Sequence, residues 1–89
     1  MIFSQNNNTV MSSIFNNTPA VLARIEQRDG RRYTPLRKQL EALNIGNRRW
    51  GKIASGSPDI TLSEVNKTAY LLGVDVDCIL GRKEVMTND

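Results

Sequence analysis

The chain has 89 residues, a net charge of +3, 39% hydrophobic and 24% charged residues, no His and a single Cys. That length fits one small domain rather than a large α/β enzyme with its own cofactor fold. The lack of His and of a second Cys excludes His-based triads, zinc fingers and disulfide scaffolds.

Residues 1–17 are rich in Asn and Ser, and their apolar residues keep neither a helical nor a strand period. They are expected to form a flexible arm, with Ile14-Phe15 docking on a domain that spans 18–81. Thr18-Pro19 reads as a helix start, with a hydroxyl at the N-cap and Pro at the first helical position. Val21, Leu22 and Ile25 supply its apolar stripe, and Gly30 its stop. Thr34-Pro35 repeats the start signal for a second helix reaching Leu43, with Leu36, Leu40 and Leu43 at i, i+4 and i+7. Asn44 follows where a tight turn needs left-handed backbone, which Asn tolerates.

A third helix is expected from Asn47 to Ala54, with Trp50 and Ile53 turned inward and Gly56 ending it. Thr61-Leu62-Ser63-Glu64 is a capping box, opening a fourth helix whose Leu62, Val65, Ala69 and Leu72 carry it to Gly73. Asp75 is placed to cap a short fifth helix with Ile79 and Leu80 buried, closed by Gly81. Cys78 beside them fits a small buried or interface residue, and 82–89 is a polar tail. Five short helices and no strand predict an all-α domain.

Charge is distributed unevenly along these elements. From Arg24 to Lys52 nine basic residues face three acids, giving +6, whereas Ile53 to Asp89 carries three bases and six acids, giving −3. Such polarity suggests a face turned toward a polyanion, with a merely solvated basic surface as the alternative. The basic excess falls on a helix, a short turn through Asn44-Ile45-Gly46, and a second helix, the spacing of a helix-turn-helix. With Leu40, Leu43, Ile45, Trp50 and Ile53 inward, the opposite face of the third helix exposes Asn47, Arg48, Lys52 and Ser55, with Arg49 at the flank. These are donors suited to base edges and phosphates, with no acid among them. Arg31, Arg32, Arg37 and Lys38 either grip phosphates across the groove or lie solvated. Gly51, inside the helix, costs about 1 kcal/mol relative to Ala. Close approach to a neighbouring helix or to a DNA backbone would explain it, as would simple tolerance.

From Pro19 to Gly81 the sequence resembles the phage-repressor/Cro-like (XRE) helix-turn-helix family. Ile45-Gly46-Asn47-Arg48-Arg49-Trp50-Gly51-Lys52-Ile53-Ala54-Ser55-Gly56 falls where that family has its recognition helix and closing glycine. Thr61-Leu62-Ser63-Glu64-Val65 through Leu72-Gly73-Val74 to Gly81 matches its ending, a long helix running into a short terminal one. The resemblance implies a five-helix repressor-like fold in which Asn47, Arg48 and Lys52 read bases, while Arg49 and Ser55 face the DNA backbone. It departs at Leu40, where the family usually has Ala, implying a wider helix spacing accommodated by Gly51. It departs also at Asn44 in place of Gly, and at Leu36 in place of a frequent phosphate-binding Gln.

The expected function is sequence-specific binding of double-stranded DNA by a prokaryotic or phage transcriptional regulator that occupies an operator. Domains of this type commonly bind as homodimers on half-sites about 34 Å apart, and Val76, Ile79 and Leu80 are the candidate interface. A protein–protein module on the same fold, such as an antitoxin or assembly adaptor, and a phage accessory protein are the alternatives. No paired carboxylates, nucleophile–base pair or phosphate loop appears, so neither an enzyme nor a cofactor or metal is expected. No apolar run approaches the roughly 20 residues of a membrane span. No basic-then-apolar leader opens the sequence and a lone thiol fits a reducing compartment, so the expected location is the cytoplasm.

Overall fold

A computed structural model describes residues 15–84. The expected arm up to residue 14 and the tail from 85 lie outside the described residues, Ile14 among them. The described chain is all-α: α1 (Thr18–Asp29), α2 (Arg37–Ala42), α3 (Asn47–Ala54), α4 (Leu62–Leu72) and α5 (Val76–Ile79). No helix in it is long and apolar enough to cross a membrane. One core of Val21, Ile25, Leu40, Ile45, Ile53, Ile60, Val65, Ala69, Cys78 and Ile79 unites the five helices, with Trp50, Leu43, Val76 and Leu80 packed partly buried around it. The helices are too short to be stable singly, so burial of these apolar stripes is what holds them.

The start of α1 differs from expectation. Thr18 is the first helical residue and fully buried, and Asn17 takes the N-cap position without a side-chain capping bond. Asn16 does the capping work from one residue earlier: its Oδ1 accepts the Thr18 N–H at 3.0 Å. Asn16 is only 5% exposed, and its Nδ2 donates to the carbonyls of Ile53 and Ser57, each at 2.9 Å. Asn17 in turn donates from its backbone N–H to the Ile79 carbonyl at 2.8 Å. Residues 16 and 17, placed by the sequence in the arm, are therefore packed into the domain. Gly30 ends α1 in left-handed backbone (φ 74°) as expected.

The second helix is shorter than expected. Thr34-Pro35 does not open it. Leu36 stays extended (φ −74°, ψ 149°) as the N-cap and is exposed, so the apolar face reduces to Leu40 and half-buried Leu43. The Gln39 side chain replaces the absent cap, accepting the Leu36 N–H at 2.8 Å. Asn44 adopts φ 59°, and Ile45 then donates to the Leu40 carbonyl at 2.9 Å and drops into the core.

The bounds of α3 and the capping box of α4 are as the sequence indicates. Thr61 Oγ1 accepts the Glu64 N–H at 3.1 Å, and Glu64 Oε1 accepts the Thr61 N–H at 2.9 Å. Asp75 occupies the N-cap of α5 but makes no side-chain capping bond. Its carboxylate pairs instead with Lys83 Nζ at 2.5 Å.

Candidate nucleic-acid interface

Helix α3 is anchored by one face. Ile53 is fully buried and Trp50 half-buried against the core, which places Trp50 in packing rather than in stacking on a base. At 3.6 residues per turn, positions 47, 48, 51, 52 and 55 fall within an arc of about 140° on the far side from Ile53. All five are exposed. The side chains of Arg48 and Lys52 make no hydrogen bond or ion pair among the described residues, and Ser55 Oγ donates to the Lys52 backbone carbonyl at 2.9 Å. The arc holds two cations, one amide and one hydroxyl, with no acid, so nothing on it competes with an anionic partner for Arg48 and Lys52.

Arg49, expected at a DNA backbone, is engaged within the molecule. Its Nε and Nη2 bond Glu64 Oε2 and Oε1 at 2.6 and 2.7 Å, a bidentate pair. A further Nη2 bond reaches the Asp59 carbonyl. The two side chains are 30% and 17% exposed. The Arg49 hydrogen bonds hold the Glu64 carboxyl below its usual range, partly opposed by burial and aided by the Thr61 N–H. The same pairing pushes the Arg49 guanidinium further up. Arg49 thereby ties the middle of α3 to the first turn of α4.

The remaining basic candidates lie outside α3. Arg31 and Arg32 are exposed on the α1–α2 loop. Arg32 borders a groove of about 550 Å³ whose wall includes Tyr33, Trp50 and Ala54. Arg37 and Lys38 are exposed in the first turn of α2. Arg37 makes only a loose 4.0 Å pair with Glu41.

In the expected interface trio Ile79 has no exposed surface, and Val76 and Leu80 are half-buried against the core, so the apolar area offered there comes from Val76 and Leu80. Cys78 beside them is buried. Gly51 does not accommodate a wider helix spacing as expected, because a Cβ there would meet no atom of a neighbouring helix within 4 Å. No local pattern marks Asn16 as a structural residue. Its partners are 37 and 41 positions away, beyond any local pattern.

Comparison with known proteins gives no match to any family model, curated protein or solved structure.

Proposed function

We propose that this is a sequence-specific double-stranded DNA-binding protein of the repressor-like helix-turn-helix type, a transcriptional regulator of prokaryotic or phage origin that acts in the cytoplasm by occupying an operator. The observation that carries this reading is the exposed arc of α3, on which Arg48 and Lys52 stand unpaired beside Asn47 with no acid among them. Arg can bond guanine bidentately and Asn adenine, and a helix held by buried Ile53 and half-buried Trp50 has the form that enters a major groove. Arg31, Arg32, Arg37 and Lys38 serve as phosphate contacts in this reading, and homodimerisation on two half-sites belongs to it.

Selection of duplexes from a random pool, followed by affinity measurement, tests it. Enrichment of a consensus with inverted symmetry is expected. Arg48→Ala and Lys52→Ala should each weaken binding to the selected duplex by about 1–3 kcal/mol with an unchanged melting temperature. Unchanged specific affinity in both variants would remove α3 as the reading element.

A second reading, a protein–protein module, draws on a different surface. Tyr70 is 80% exposed and lines, with Leu43, Leu71 and Lys38, a groove of about 540 Å³. A random pool that yields no enriched duplex favours this reading.

A further inference from the structure

Gly51 lies inside α3, where Gly is the least favourable residue apart from Pro. Neither usual intramolecular reason for a glycine applies. Its backbone is ordinary right-handed helix, and a Cβ built on it would find no heavy atom within 4 Å beyond its chain neighbours and its own helix backbone. Gly56 and Gly81 differ on both counts: they sit at φ 92° and 77°, and a Cβ on them would come within 3.1 Å of Pro19 and 2.5 Å of Phe15. Gly51 is therefore the glycine of α3 that the chain itself does not require. It occupies the same exposed arc as Asn47, Arg48, Lys52 and Ser55, leaving a side-chain-free spot among the donors.

Building on the DNA-binding reading, we infer that Gly51 is a specificity-determining contact, at which the backbone of α3 seats against the edge of a base pair while Arg48 and Lys52 reach past it. A glycine there lets the helix axis approach the groove floor more closely than any side chain would allow. Arg and Lys are long enough to find acceptors from that depth, and a methyl group at 51 would lift the helix and lengthen every base contact together. Contacts to phosphates, made by flexible side chains, would adjust to the same shift.

The test uses the full chain and the duplex that the wild-type protein enriches from a random pool. Gly51→Ala is expected to raise the melting temperature by about 4–8 °C, since the helix gains a better former at no steric cost. The same variant is expected to bind the selected duplex about 10-fold or more weakly, and an unrelated duplex within about twofold of wild type. A variant that melts higher and binds the selected duplex as tightly as wild type overturns the inference. So does one that melts lower, because the Cβ would then be meeting the chain itself. Arg48→Ala and Lys52→Ala separate this inference from the reading beneath it. If they lose specific binding and Gly51→Ala does not, the role of Gly51 alone falls; if none of the three loses it, DNA reading by α3 falls as well.

Discussion

Glu64 joins two helices through one carboxylate. It closes the capping box of α4 by accepting the Thr61 N–H, and it receives both nitrogens of the Arg49 fork. Because its folded pKa lies below the ordinary carboxylate value, folding favours the ionised form. The resulting stabilisation is fully present above the unfolded pKa of about 4.3 and is lost as pH falls through the lower, folded value. Glu64→Gln should accordingly lower stability by about 1–2 kcal/mol at pH 7, measured by urea denaturation. The difference from wild type should shrink as the pH is taken below about 4. A difference constant across pH would mean that the carboxylate charge contributes nothing. Thr18 and Thr68 stand in contrast at the same scale: both hydroxyls are buried and lack a hydrogen-bond partner among the described residues. They enter the core as methyl-bearing side chains that carry an unmatched polar atom.

The helices that announce themselves in the sequence are those whose ends are set by neighbours in the chain. The α4 capping box is complete within four residues, and α3 fills its expected span between Gly46 and Ser55. At the start of α2 one local signal loses to another. Pro35 fixes its own φ, yet Leu36 remains extended, and the helix begins only where the Gln39 side chain reaches back to the Leu36 N–H. The candidate site divides by distance along the chain. The exposure of Asn47, Arg48 and Lys52 follows from 3.6-residue periodicity. The commitment of Arg49 depends on a partner 15 positions on, which no periodicity reveals. Asn16 is the strongest such case, because its Nδ2 serves the carbonyls of Ile53, in the last turn of α3, and of Ser57, just beyond it, 37 and 41 positions along the chain. Asn16→Ala should cost about 1–2 kcal/mol in urea denaturation, since it removes the Nδ2 bonds to the Ile53 and Ser57 carbonyls and the Oδ1 bond to the Thr18 N–H, while the Ile53 carbonyl keeps the Gly56 N–H. Hydrogen exchange should show the last turn of α3 opening more readily than α4. Equal protection in both helices would mean that the clasp does not hold α3.

For the molecule as a whole, the charge contrast can be counted in ions. Of the basic DNA-contact candidates, the side chains of Arg31, Arg32, Lys38, Arg48 and Lys52 have neither a hydrogen bond nor an ion pair among the described residues and Arg37 has only its loose pair with Glu41, whereas Arg49 is bound to Glu64. If the four proposed phosphate contacts, Arg31, Arg32, Arg37 and Lys38, each neutralise one phosphate, the logarithm of affinity should fall with the logarithm of salt concentration at a slope of about −3 to −4 per protomer. Titration of binding against salt measures this, and Arg49→Ala should leave the slope unchanged. A slope near zero would remove the polyanion as partner.

The packing of residues 15–17 also bears on how the path of the chain is laid out. Phe15 covers Gly81, and Asn17 is bonded to the carbonyls of Cys78 and Ile79. The first and last turns of the folded path thus meet at one seam, and the domain is close to a closed ring. Its contacts specify who neighbours whom around that ring and are nearly indifferent to where the ring is cut. A circular permutant joined across the seam and opened between exposed Arg31 and Arg32, ahead of half-buried Tyr33, is expected to keep the five helices and to melt in one cooperative transition; loss of that transition would show that the cut matters. The order of the helices in the gene is then one of several that encode the same body.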